Sequence, residues 1–259
     1  MYICKKEIKM KTLATLIFIL VTFILNAQTS LDTLVFNKLN EYRSSLSYIK
    51  ANDIQYEYSI KKDEIYVKKQ IGRKKFKIDT VKVLTMVLKN SYDSDYKKIK
   101  DTIFYFSINQ KDIIGGKVLN RLEFDTIAYR AAENHSNFLV DTNKILIKTG
   151  SLLLTHEQPQ KKFKGVFERY KYFGGSGLTF ENAQIGVSRN FKDKNEKENL
   201  EIIATDIING WKESKYHNEN MINIDVNYSA VCTKFIETKS GFKDIKNYKS
   251  FSTMVIIKK

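Results

Sequence analysis

Only two cysteines occur in the 259 residues. Cys4 lies within a candidate leader and Cys232 stands alone after it, so the mature chain has no intramolecular disulfide, and its stability must come from an apolar core. Cys232, in Ala230-Val231-Cys232, reads as a buried strand thiol; no helix N-terminus precedes it to lower its pKa, which argues against a nucleophilic role. Histidine is almost as scarce, with three in the chain. Imidazole chemistry is therefore confined to His135, His156 and His217. Glycine clusters at Gly174-Gly175-Ser176-Gly177, without a Walker lysine or a GxGxxG spacing after a strand, so the common phosphate-cradling loops are excluded. No internal repeat is present. Compact arginine-rich helices and basic motifs interleaved with aromatics are absent, so the scattered lysines form no pattern for specific nucleic-acid binding.

The chain opens with Lys5, Lys6, Lys9 and Lys11, then the apolar run Leu13 to Leu25, then Asn26-Ala27-Gln28. Basic, apolar and small or polar segments in this order make a secretory signal peptide over residues 1–28. The apolar run falls short of the roughly 20 residues that a spanning helix needs. Met10 is a second candidate start, since MKTLATLIFIL is a complete leader by itself. No cysteine directly follows the apolar run, which argues against a lipid-anchored form. The expectation is a soluble chain exported to the periplasm or the medium, touching the membrane only through its leader before cleavage. Residues 1–28 hold four lysines and one glutamate, so 40 basic and 28 acidic side chains remain after them, a formal charge of +12. That balance favours anionic surfaces such as cell-wall polymers or anionic lipid.

Hydrophobic periodicity organises the rest. Leu200, Ile203, Ala204, Ile207, Ile208 and Trp211 recur at helical spacing, with Glu196 and Glu198 near the start and Lys212 and Lys215 near the end, as a helix dipole favours. The spacing predicts one helix from Leu200 that finishes close to His217. A first helix is expected over residues 29–48. The segments IQYEYSI, EIYVKKQI, FKIDTVKVLTMVL and TIFYFSI then read as strands, so residues 49–118 form a β-rich insertion without histidine. Helical period returns between Ile127 and Leu139 and puts His135 on the apolar face, where it reads as a core residue satisfied by one hydrogen bond. Ile222 to Val226, Ser229 to Ile236 and Ser252 to Ile257 read as strands, with Lys239 to Lys249 as a charged loop.

His156, Glu181 and His217 each lie in a stretch that flanks a predicted helix. Two imidazoles and a carboxylate can hold a divalent metal such as zinc and leave one position open for water. Read alone, His217 is an ordinary surface histidine. Glu168 and Arg169, in VFERY, are a second candidate pair, whose plainer reading is a solvated ion pair anchoring a loop.

Five words occur in order: LNEYRSSL at Leu39 to Leu46, LEFDTIAYRAAENHSNFL at Leu122 to Leu139, Thr155-His156, FENA at Phe180 to Ala183, and IINGWKESKYHNENMI at Ile207 to Ile222. In these the sequence resembles domains of the CAP superfamily, also called SCP-like, which takes in cysteine-rich secretory proteins, insect antigen 5, plant pathogenesis-related proteins and bacterial exported proteins. It is most similar to the bacterial branch, through Trp211, Ser214 and His217 at intervals of three. The resemblance implies an α+β fold, a three-layer α-β-α sandwich of CAP type with an open cleft and a β-rich insertion after the first helix, residues 119–259 completing the domain. It implies that His156, Glu181 and His217 ligate Zn2+ or another divalent cation, with Ser214, Asn182, Trp211, Glu168 and Arg169 lining the cleft. Two departures stand out: Phe180 replaces the glycine before the glutamate, and Ser214 occupies the position of a second acid, which Glu213, turned about 100° away on a helix, does not replace.

As function, the resemblance implies an extracytoplasmic binding or interaction module for a lipid, polymer or protein, rather than an enzyme. The alternative is a metal-dependent hydrolase acting on cell-wall or peptide substrates, in which a metal lowers the pKa of bound water. A third reading makes the basic surface itself the functional part, holding anionic polymers nonspecifically.

Overall fold

The computed structural model describes residues 30–88, 102–186, 189–191, 197–238 and 246–259, and the signal-peptide reading over residues 1–28 lies outside the described residues. Helix α1 runs from Ser30 to Ser44 and buries Leu31, Val35 and Leu39, one residue per turn. It stops short of the expected residue 48. Leu46 begins strand β1, Leu46–Lys50, whose neighbours on both sides supply the backbone partners that a frayed helix end would lack.

The β-rich segment continues as β2, Glu57–Lys61, β3, Glu64–Gly72, β4, Lys75–Leu88, and β5, Thr102–Ser107, then a single helical turn α2, Lys111–Ile114, and the short β6, Lys117–Val118. These strands make a six-stranded antiparallel sheet in the order β2-β3-β4-β5-β1-β6. Side chains alternate across it. Ile49, Ile65, Val67, Val81, Val83, Phe104 and Phe106 bury on one face together with Ile114 of α2. On the opposite face, Leu46, Ile103 and Tyr105 join the main core.

The second body begins with β7, Glu123–Phe124, and helix α3, Thr126–Leu146, whose N-cap Asp125 accepts from the Ala128 N–H at 2.7 Å. A loop carrying His156 leads to α4, Val166–Tyr172, and then come β8, Leu178–Ile185, and β9, Arg189–Phe191. Helix α5, Lys197–Glu213, is followed by α6, Lys215–Ile222, and the chain closes with β10, Tyr228–Thr238, and β11, Lys246–Lys258. The sheet order is β7-β10-β11-β8, with β9 paired to β11 as well. Along β11, Met254 and Ile256 pack towards α1 and α5, while Val255 and Ile257 pack towards α3. Period-two alternation thus feeds two helical layers from one sheet, which gives the three-layer α-β-α sandwich.

Two expectations are corrected. The predicted long helix is two helices, because Ser214 takes extended backbone, φ −86° and ψ 117°, and starts α6 afresh. Between Trp211 and Met221 the one large apolar side chain, Tyr216, is exposed, so nothing there holds a single axis against the core, and serine suits a helix start. Ile222 to Val226 is not a strand: Ile222 ends α6, and the Asn223 side chain accepts from the Asp225 N–H at 2.9 Å in a tight turn.

Candidate functional site

Strand β8 is the last strand of its sheet among the described residues and presents Glu181 and Asn182 to opposite layers. Glu181 points to the α3–α4 side and is only 8% exposed. Its Oε1 accepts from His156 Nδ1 at 3.0 Å, with His135 Nε2 3.6 Å away, and its Oε2 is paired with the Arg169 guanidinium. Burial alone would raise the Glu181 carboxyl; the His156 bond, with His135 and Arg169, holds it below the ordinary carboxylate value. It is therefore a fixed anion. Because a carboxylate only accepts, the Nδ1 of His156 carries the proton and Nε2 is the nitrogen left over.

Arg169 is fully buried. Its Nη1 donates to the carbonyls of His156, Phe163 and Lys164 at 3.0–3.2 Å, so one side chain fastens the whole His156 loop to α4 and β8. The reading of Glu168 and Arg169 as a solvated ion pair is thereby corrected. Glu168 is exposed and accepts from the Gly165 N–H at 3.0 Å at the start of α4, while Arg169 takes Glu181 as its partner in the interior. The signal was present in the sequence: Arg169 lies three residues after Val166 and four before Phe173, on the apolar face of its helix.

His135 takes a larger part than one hydrogen bond. Its Nε2 donates to the Thr155 carbonyl at 2.8 Å and its Nδ1 accepts from Gln158 Nε2 at 3.1 Å, which satisfies both ring nitrogens as a neutral imidazole. Burial pushes its pKa down to about 4. No spacing rule links Gln158 to His135, so this brace is visible only in the folded chain.

On the other side of β8, Asn182 is fully buried; its Nδ2 donates to the His217 carbonyl and its Oδ1 accepts from Asn220 Nδ2, both at 2.9 Å. Asn182 therefore fixes α6 and with it the His217 backbone. From α1, Asn40 exchanges two hydrogen bonds with the Leu122 backbone, and Arg43 donates to the carbonyls of Asn120, Met221 and Asn223, which accounts for Asn40 and Arg43 of the LNEYR word. Trp211 is fully buried in the core, so it supports the cleft from behind and does not line it. Ser214 sits at the α5–α6 junction, where its carbonyl accepts from the Asn218 N–H and its side chain makes no capping bond.

The two outer histidines meet. The rings of His156 and His217 lie 6.3 Å apart, centroid to centroid, at 63°. The Glu181 hydrogen bond raises His156 above the ordinary histidine value, against half-burial; desolvation lowers His217, and the neighbouring His156 adds to that. Beyond Asn220, a cavity of about 360 Å³ opens between this body and the six-stranded sheet, lined by Phe180, Glu219, Asn220 and Asp225 on one side and Ile103 and Tyr105 on the other. Phe180, which stands where the resemblance expects glycine, thus forms part of a wall.

Glu181 has one oxygen engaged by Arg169 and the other by His156, so both oxygens already have partners and it acts as a supporting carboxylate that orients His156. Among the described residues no group of three His, Cys, Asp or Glu is placed to hold a metal ion. In this arrangement two imidazoles, His156 and His217, face each other with Glu181 hydrogen-bonded to the first, one protein ligand short of the three that a resident zinc takes, so the residues as arranged do not fit that ion.

A three-layer α-β-α sandwich with two histidines and a buried glutamate at the edge of its sheet defines an SCP-like domain. The family model of the Cysteine-rich secretory protein family, CAP, matches residues 36–235, and the chain belongs to that family. Among solved structures, it is similar to an outer surface protein from Borrelia burgdorferi, at 19% identity and a TM-score of 0.34, over 54% of this chain and 80% of that one. An extracellular protein containing a SCP domain from Bacillus anthracis str. Ames is similar at 12% identity and a TM-score of 0.36, over 79% of this chain and 67% of that one. No curated protein matches.

Proposed function

We propose that this CAP-family protein is an exported binding module whose ligand sits at the His156–His217 rim and extends into the adjoining cavity. The observation that carries the reading is the state of Glu181. A hydrolase of this type needs a carboxylate free to take a proton or a metal that activates water. Here the carboxylate is buried and held as an anion by Arg169 and His156, while the two outer histidines remain accessible. Such a site offers hydrogen bonds, an aromatic edge and two imidazoles, with Glu181 not free to act as a base. Export rests on the basic-apolar-polar pattern of residues 1–28, and no helix of the described residues is long and apolar enough to cross a membrane.

The test uses the protein without residues 1–28, incubated with purified peptidoglycan and with a peptide mixture, in the presence and absence of Zn2+. Sedimentation with peptidoglycan that is weakened by H156A/H217A, without release of soluble fragments, supports a binding module. Zinc-dependent turnover that disappears in E181Q would replace it with the hydrolase. Calorimetric zinc titration checks the donor set: saturable binding near one metal per chain, lost in H156A/H217A, would show that the two imidazoles recruit further ligands and would overturn the misfit.

A further inference from the structure

The hairpin of β3 and β4 carries a feature that the cleft does not use. From Ile65 to Ile78 the chain has six cations, Lys68, Lys69, Arg73, Lys74, Lys75 and Lys77, and no acid. Lys68 is paired with Glu57, and Lys69 and Lys77 with Asp79. Arg73, Lys74 and Lys75, at the turn, are exposed and make no ion pair with a described residue. Beside them Ile71, Phe76 and Ile78 are 64%, 53% and 65% exposed, and none belongs to a buried cluster. The register pairs Phe76 with Gln70 and Ile78 with Lys68, so Phe76 and Ile78 share one face with these long polar side chains, while Ile71 lies at the register shift between Gln70 and Gly72, next to the turn. Lys68 reaches over the Phe76 ring at 4.5 Å.

We infer that the β3–β4 hairpin is a docking surface for an anionic phospholipid bilayer, its turn cations meeting lipid phosphates and Ile71, Phe76 and Ile78 entering the boundary between headgroups and acyl chains. This goes beyond the cleft reading and stands without it. Charge complementarity supplies the long-range attraction, since each Lys or Arg near an anionic leaflet strengthens binding by about fivefold. Apolar side chains at the tip supply what a soluble polyanion cannot reward, because only a bilayer removes them from water. Lysine and arginine stems are long enough to lie along that boundary with their charges in the phosphate layer. The sequence points to the leader as the membrane contact and to a basic balance that favours anionic surfaces in general; the hairpin gives that balance a place on the fold.

The experiment is cosedimentation of the purified protein with phosphatidylglycerol–phosphatidylcholine vesicles and with pure phosphatidylcholine vesicles. Binding to the first and little to the second is expected. R73Q/K74Q/K75Q should weaken it about a hundredfold, three fivefold steps together, and I71S/F76S, with every cation kept, should weaken it at least about tenfold while leaving binding to soluble polyphosphate unchanged. Since all five side chains are exposed, unchanged thermal midpoints verify that both variants are folded. F76W gives a second measurement, because the native Trp211 is fully buried and contributes a constant background. A blue shift of the added indole on anionic vesicles is expected. Vesicle binding that is indifferent to I71S/F76S, equal binding to pure phosphatidylcholine, an unshifted indole on sedimenting protein, or no vesicle binding would each overturn the inference, the first in favour of a surface for anionic polymers.

Discussion

Replacing Arg169 with methionine tests the architecture of the site most directly. In the native chain the guanidinium is fully buried, pairs with Glu181 and donates to three loop carbonyls. Methionine keeps much of the volume and removes every one of these bonds. The larger loss is the carboxylate, whose side chain is 3% exposed and would keep only His156 as a close partner. Breaking one side of a buried ion pair costs about 3–5 kcal/mol, most of it from the stranded charge. At about 2–4 °C per kcal/mol for a chain of this size, the thermal midpoint should drop by roughly 6–20 °C. The double variant R169M/E181M should recover a large part of the loss, because it leaves no unpaired charge. The sign with pH is also fixed. The native Glu181 pKa is depressed, so its contribution is present above the unfolded carboxyl value and is lost as pH falls through the folded one. R169M keeps the His156 bond but loses the part of that contribution that Arg169 supplies, so the gap between parent and variant should narrow as pH drops from neutrality. Urea denaturation of the three proteins across pH measures all of this. An R169M penalty below about 0.5 kcal/mol, the size of a surface substitution, or a gap that widens in acid, would refute the account.

His135 should give the parent a second acid-sensitive step: its folded pKa, about 4, lies below the ordinary 6.5, so the unfolded chain takes up the proton first and stability falls as pH drops from about 6.5 to about 4. The step is about 3 kcal/mol, and a parallel pH profile for H135Q would rule it out. D32A should cost about 1–3 kcal/mol, because the buried Asp32 carboxylate accepts from the Thr233 backbone N–H at 2.8 Å and ties α1 to β10; amide exchange at Thr233 checks the mechanism by rising in the variant. G177A should cost about 1–3 kcal/mol, since Gly177 has φ +120° and an added Cβ would lie 2.6 Å from the Lys258 carbonyl oxygen at the end of β11. A midpoint equal to the parent's would show that the β8 entry relaxes at no cost.

Local order was legible where one periodicity met one environment. The stripe from Leu200 to Trp211 buries as its spacing predicts, and the alternating Val231, Cys232, Met254 and Val255 take opposite sides of one sheet. Cys232 is buried, and its burial pushes the thiol pKa up, in line with an inert strand residue. The break at Ser214 was not legible, since helical phase alone carries across it. Family words, in turn, locate His156, Glu181 and His217 without saying what each one touches.

The layer plan, the family and the three residues at the sheet edge can therefore be read from the chain alone, because apolar period and short motifs are properties of neighbours in sequence. What those residues are is settled only in three dimensions. Arg169 reaches Glu181 across twelve positions, Gln158 reaches His135 across 23, and Asn182 holds the His217 carbonyl across 35. A carboxylate can be a metal ligand, a general base or a buried counter-ion, and which one it is depends on the groups that converge on its two oxygens. That convergence is set by packing between layers, and no spacing along the chain encodes it.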